Sequence, residues 1–405
     1  MPSPSEELRK LHANGLLRHL DALESPTGPQ VTRGGRQLWN FASNDYLGLA
    51  RHPEVEVALI EGVRKFGAGS ASSRLVCGTL SPHMLLEEAL AQAKLTEAAL
   101  VFSSGFSAAL GVIPAVVGTA DFILLDKLSH ACLVDAARLS GATLRVFPHN
   151  DLEKLQRLLA TIRAKAPAAR VLVVTESVFS MDGDFCPLRE IVGLVEAHEA
   201  LLLLDEAHGF GVLGESGMGL AEREHLQQRV TFQMGTLSKA AGLSGGYIAA
   251  SREWIDLLIN RARPFIYSTA PPPALAHAAL ASLRIIRSAD GSALRILLNN
   301  NISRIGASAT PIIPIILGSN EAAVAASAAL AAAGCLVPAI RFPTVPRGSA
   351  RLRVSLSAAH SPEAVAVLAT ALQGIVFRRK TEPQMGTDEP TGPRPWRVSS
   401  GLHRS

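Results

Sequence analysis

Unbroken apolar runs of strand length recur along this chain, and each stops abruptly at a small or polar residue. They are AALVF before SSG, FILLD, VLVVTE and LLLLD, with VTFQMGT as a further candidate. A strand that is apolar at every position has both of its faces covered. Helical patterns lie between the runs, as in GFSAALGV directly after AALVFSS. Alternating strands and helices predict an α/β fold with a mostly parallel sheet. Ligands of such sheets bind at the carboxyl ends of the strands, and the polar residues of this chain fall at those ends.

The chain has 405 residues, 48% of them hydrophobic, which is enough for two domains. Leucines at helical spacing predict a helix over 6–23, inside an N-terminal arm of residues 1–38. Residues 39–275 read as a large domain. Residues 276–377 read as a smaller α+β domain, entered by the helix PALAHAALASLRIIRS and holding the strands PIIPIIL and RLRVSL. Residues 378–405 are rich in Pro, Gly, Arg and Ser and are expected to be disordered.

That last segment carries six Lys/Arg against three acids, so it supplies +3 of the formal net charge of +4. The body is near neutral and shows no basic stripe interleaved with aromatics, so nucleic-acid binding is not expected. The apolar stretch from Ala322 to Ile340 is broken by Gly334 and Pro338 and reads as a core helix and strand, not a membrane span. The start, MPSPSEELRK, lacks the apolar core of a signal peptide. Cys77, Cys132, Cys186 and Cys335 form no CxxC pair and no cluster with histidine. Reduced thiols, a cytoplasmic location and no metal site are the expectation.

Three segments carry candidate chemistry. LLLLDEAHGFG puts Asp205 at the end of a buried strand and His208 just beyond. A buried acid is costly without a partner, although an aspartate there could simply cap the next helix. TLSKAAGLSGG sets Lys239 among small residues, hydroxyls and glycines. An apolar pocket suits a lysine that must deprotonate to form a Schiff base, although an exposed loop lysine is the plainer alternative. FSSGFSAALG places Gly105 and Phe106 at a strand-to-helix turn whose free amides suit a phosphate, and it matches neither standard nucleotide fingerprint. Pyridoxal phosphate needs a lysine for its aldehyde, an acid for its ring nitrogen and a phosphate cradle, and the three segments together could provide them.

SNDYLGLA, DKLSHACLVDA, ESVFSMDGD, DEAHGFGVLGESGMG, GTLSKAAGLSGGYIA and RFPTVPRGSARLRVSLSAAH occur in this order. Together they resemble the α-oxoamine synthases, over about residues 8–377. The resemblance implies a fold-type I pyridoxal-phosphate transferase, with a large domain built on a mostly parallel seven-stranded sheet and a smaller α+β domain. It implies condensation of an amino acid with an acyl thioester and loss of carbon dioxide. The segment AIRFPTVPRG and the match of Arg18 favour the biotin-pathway branch, which joins L-alanine to a pimeloyl group on coenzyme A or acyl carrier protein. Other branches take glycine with acetyl or succinyl thioesters, or serine with long acyl chains.

By the same resemblance, Lys239 holds the cofactor aldehyde and moves the substrate Cα proton. Asp205 pairs with the ring nitrogen, His208 with the ring's phenolic oxygen, and His130 stacks on the ring and orients the thioester. Gly105 and Phe106 contact the cofactor through backbone amides, while Ser180 and Thr236 offer hydroxyls to it. Arg353 grips the amino acid's carboxylate, with Asn44 close to the bound amino acid. Arg18, Arg341 and Thr344 lie near the acyl substrate. A homodimer is implied, with no nucleic-acid or membrane partner.

Overall fold

A computed structural model of the chain describes residues 3–306 and 308–381. The segment expected to be disordered, 378–405, therefore lies almost wholly outside the described residues.

The seven-stranded sheet is present. Its spatial order is Ala98–Phe102, Gly246–Ala250, Phe232–Thr236, Leu201–Asp205, Val171–Glu176, Phe122–Asp126 and Thr143–Phe147. Five neighbouring strands run parallel, and only Gly246–Ala250 runs antiparallel to both of its neighbours. The expected apolar runs form its centre, where Leu172, Leu202, Leu203 and Leu204 are completely buried. The helix Gly105–Val116 packs on one face through Ala108, Val112 and Ile113, and Ala131–Leu139 packs beside it through Leu133 and Ala136. At about 25 cal/mol per Å² of apolar surface removed from water, such side chains are the main source of stability.

The parallel strands end together. Their carboxyl edge brings Asp126, Glu176, Asp205 and Thr236 into line, with Glu176 directly opposite Asp205. Gly246 begins the reversed strand at the same edge, opposite Thr236 and Phe102.

Contacts divide the chain into two units. Among the described residues, the larger comprises 47–180 and 184–295, and the smaller comprises 3–46, 181–183 and the described part of 296–381. The division differs from the sequence-based boundaries at both ends. The helix Pro273–Arg287, expected to open the small domain, packs on Pro53–Phe66 and Ser81–Lys94 and so belongs to the larger unit. Its alanines at 274, 276, 278, 279 and 281 are buried, which admits close helix approach. Gly62 shows how close: a Cβ there would meet the Ala274 Cα at 2.8 Å.

The first helix is also shorter than expected. It spans Pro4–Ala13 and stops at Asn14 and Gly15, where Gly15 turns left-handed (φ 63°). Ser3 and Glu6 form a capping box at its start, and at its end the left-handed Gly15 lets Leu16 N–H donate back to Leu11 O, which stops the helix despite the leucine spacing beyond. In the smaller unit, Ile312–Gly318, Ala350–Ser355 and Ala339–Ile340 form an antiparallel sheet. A second small sheet joins Gln30–Arg33, Arg36–Asn40 and Cys335–Leu336, none of which the sequence pattern resolved except the last.

Candidate active site

The loop between Thr236 and Gly246 is built around Lys239. Leu237 N–H donates to Gly245 O and Leu243 N–H donates to Leu237 O, closing the loop on itself. Gly242 N–H donates to Lys239 O at 2.8 Å. Gly242 is left-handed (φ 71°), and a Cβ there would lie 2.2 Å from Ala50 N, so only glycine fits. The Lys239 Nζ shares a 2.8 Å hydrogen bond with His208 Nε2. His208 is buried, and Lys239 is half-buried.

Asp205 ends the four-leucine strand at 4% exposure, and its Oδ1 accepts from Ala207 N–H at 2.8 Å. Burial pushes its carboxyl pKa up, while Lys239, the Ala207 amide and His130 pull it down. Glu176 beside it is raised well above the usual carboxylate range, first by burial and then by the Asp205 charge. Two carboxylates at adjacent strand ends cannot share one buried place as two anions. Glu176 is the more strongly raised of the two, so the buried charge falls more readily on Asp205. Glu176 was not singled out from the sequence, yet VLVVTE ends in an acid as LLLLD does, and the same reasoning reaches it. Its Oε1 accepts the His130 amide.

His130 caps the helix Ala131–Leu139, with Nδ1 accepting from Cys132 N–H at 3.2 Å. Burial lowers its pKa, Asp205 opposes that, and Lys239 adds to it. The ring is neutral, and with Nδ1 accepting, its proton sits on Nε2.

Gly105 and Phe106 open a twelve-residue helix, capped by Ser104 Oγ accepting from Ser107 N–H at 3.1 Å. Gly246 allows the reversed strand to abut this turn, since a Cβ there would lie 2.4 Å from the Ser104 carbonyl. Thr236 stands next to it, 3.5 Å from the position of a Gly105 Cβ. The Thr236 hydroxyl donates to Gly245 O at 2.8 Å and accepts from Ser238 N–H, so it also shapes the lysine loop. Ser180 is buried in the turn after Val171–Glu176.

These groups fit pyridoxal phosphate. A buried carboxylate whose ionised form needs cationic support suits the protonated ring nitrogen, and the amides at the helix start suit the phosphate. Lys239 would be the amine for the aldehyde. His208 stands beside that amine, bonded to the Lys239 Nζ. Among the described residues no group of three or more His, Cys, Asp or Glu could hold a metal ion.

The other expected residues lie in the smaller unit. Arg353 is buried on the Ala350–Ser355 strand, and its Nη1 donates to Asn44 Oδ1 at 3.0 Å and to Ser355 Oγ at 2.7 Å. Its Nη2 reaches the Tyr46 hydroxyl at 3.5 Å. Arg18 reaches the Thr344 hydroxyl at 3.5 Å, and Arg341 donates to Gly15 O. Arg353 thus sits beside Asn44, and Arg18 beside Thr344.

Residues 36–372 match the family described as aminotransferase class I and II. The chain is 47% identical over 379 residues to an 8-amino-7-oxononanoate synthase of Anaeromyxobacter dehalogenans, covering 91% of this chain and 94% of that one. A serine palmitoyltransferase from S. paucimobilis, solved with a bound pyridoxal phosphate–myriocin aldimine, superposes with a TM-score of 0.86 at 29% identity. That match covers 93% of this chain and 97% of the other. An 8-amino-7-oxononanoate synthase of Francisella tularensis gives a TM-score of 0.72 at 27% identity, covering 85% of this chain and 98% of the other.

Proposed function

The chain belongs to the class I and II aminotransferase family, alongside the 8-amino-7-oxononanoate synthases, and from that premise we propose that it condenses L-alanine with a pimeloyl thioester. The products are 8-amino-7-oxononanoate, carbon dioxide and free thiol, as a step of biotin synthesis. The observation that carries this reading is the group at the sheet's carboxyl edge, where Lys239, His208, Asp205 and His130 converge.

Bound pyridoxal phosphate supplies an electron sink for the alanine Cα. The protein's side chains divide the remaining tasks. Asp205 holds the protonated ring nitrogen through its buried carboxylate. Lys239 takes the Cα proton and returns one to the product carbon, with His208 holding its Nζ at 2.8 Å. His130, neutral and carrying its proton on Nε2, donates to the thioester carbonyl oxygen as negative charge grows there. Arg353 takes the α-carboxylate as a two-pronged donor. Arg18, Arg341 and Thr344 serve the acyl substrate.

The purified protein with pyridoxal phosphate is expected to release thiol from pimeloyl-coenzyme A only when L-alanine is added. Release with glycine and a short acyl thioester, and none with alanine, would move the reaction to another branch. In the same assay Arg353→Lys should raise the KM for L-alanine by about tenfold, because a lysine cannot reproduce the two-pronged contact.

The protein is proposed to act in the cytoplasm as a homodimer. Among the described residues no helix is long and apolar enough to cross a membrane. Leu75, Val76, Met84, Leu85 and Tyr267 are exposed on the turn Arg74–Gly78, the helix Ser81–Lys94 and the segment after Ile266. A second copy covering them would remove this apolar surface from water. Sedimentation equilibrium should give the mass of two chains, and a monomer mass at micromolar protein would contradict it.

A further inference from the structure

His149 is not part of the chemistry described above, yet both of its ring nitrogens face carboxylates. Nδ1 lies 3.0 Å from Asp126 Oδ1, and Nε2 lies 2.8 Å from Asp184 Oδ2. An ionised carboxylate only accepts, so protons on both nitrogens satisfy both carboxylates and make the ring a cation. Burial opposes that charge, but the two carboxylates raise the pKa to about 10. Asp126 ends the Phe122–Asp126 strand, second from the sheet edge, with a fully buried side chain, and it also accepts from Leu128 N–H and Asn150 N–H. Asp184 is 46% exposed.

What this cation holds is the turn that carries Ser180. The turn closes on itself through Phe179 N–H donating to Asp184 O at 3.0 Å and through the bridge between Val178 and Phe185. Its outgoing limb is tied to the sheet by Ser177 N–H donating to Asp205 O. Its returning limb is tied through His149 to Asp184 and through Asn150 Nδ2, which donates to Phe185 O at 3.0 Å. The Phe179 ring meets the imidazole edge to face, with centroids 4.3 Å apart. With both nitrogens engaged, His149 has none left to exchange a proton with a substrate. Its role is to set geometry.

We propose that Asp126, His149 and Asp184 form a clamp that fixes the returning limb of the 178–185 turn, making His149 a positioning residue for the Ser180 hydroxyl. This rests on the reading that Ser180 serves the cofactor. The clamp joins the carboxyl end of the Phe122–Asp126 strand to the turn after the adjacent strand Val171–Glu176, one strand nearer the lysine, so an exposed carboxylate comes to govern a buried hydroxyl.

The test compares the holoenzyme with Asp184→Ala, Asp184→Asn and His149→Phe, by hydrogen–deuterium exchange and by pyridoxal phosphate affinity. His149→Phe leaves Asp126 buried without its cation and could fail to fold. Asp184→Ala removes only an exposed carboxylate. Loss of a charge-assisted bond predicts that Asp184→Ala speeds exchange across 178–186 by about tenfold, with the strands Val171–Glu176 and Leu201–Asp205 unchanged. Cofactor affinity should fall several-fold, kcat should fall with it, and the KM for the thioester should stay level. Asp184→Asn, which keeps an acceptor oxygen, should recover part of both losses. Unchanged exchange in Asp184→Ala overturns the clamp, and faster exchange with wild-type cofactor affinity overturns the positioning of Ser180. A wild-type protein that binds no pyridoxal phosphate would instead defeat the cofactor reading, with the exchange result still deciding the clamp.

Discussion

Lys239→Ala should abolish thiol release, by at least about 10³-fold, because on the proposed mechanism it removes both the amine that would hold the cofactor and the base that would move the Cα proton. The fold should survive. Lys239 is only half-buried, on a loop whose shape depends on backbone bonds at Leu237, Leu243 and Gly242. His208 loses one partner but stays in a buried loop anchored by Gly209 and Phe210 amides donating to Glu206 O. Thermal unfolding within a few degrees of wild type, with turnover gone, is the expected pair of observations. Turnover near wild type would remove Lys239 from the reaction altogether.

The second large effect is at Asp205. Asp205→Asn keeps the shape and the contact with the Ala207 amide but removes the charge that would meet the cofactor's ring nitrogen. Losing one preorganised electrostatic partner of this kind costs about 10²–10³ in rate. Cofactor affinity should drop as well. The neighbouring Glu176 should shed its proton more readily in this variant, since Asp205 is one of the two main causes that hold its pKa up. A wild-type rate for Asp205→Asn would contradict the assigned role.

The sheet was legible because its strands are apolar on both faces, and that pattern survives in any sequence reading. LLLLD, VLVVTE and FILLD marked both the strands and the edge where the candidate site lies. The antiparallel strand Gly246–Ala250 was hidden, because GYIAA follows a glycine pair and reads as the tail of the lysine loop. The unit boundary was hidden for a related reason. An alanine-rich helix such as Pro273–Arg287 shows which residues it buries but not which partner covers them.

At the site, Asp205, His208 and Lys239 could each be named because the motif around each is dense. The contact between His208 and Lys239 could not, because the two residues are 31 positions apart and only folding sets their distance. The clamp at His149 was invisible for the same reason. FPHND reads as an ordinary turn, and its carboxylate partners lie 23 and 35 residues away. Glu176 differs from these, since its place at a strand end was present in the sequence.

The claim that most needs testing is decarboxylative condensation of alanine. Carboxyl-labelled L-alanine and pimeloyl-coenzyme A, incubated with the holoenzyme, should give labelled carbon dioxide and free thiol in equal amounts. The amino ketone formed should carry no label. Thiol release without labelled carbon dioxide, or a product that keeps the carboxyl label, would contradict the account.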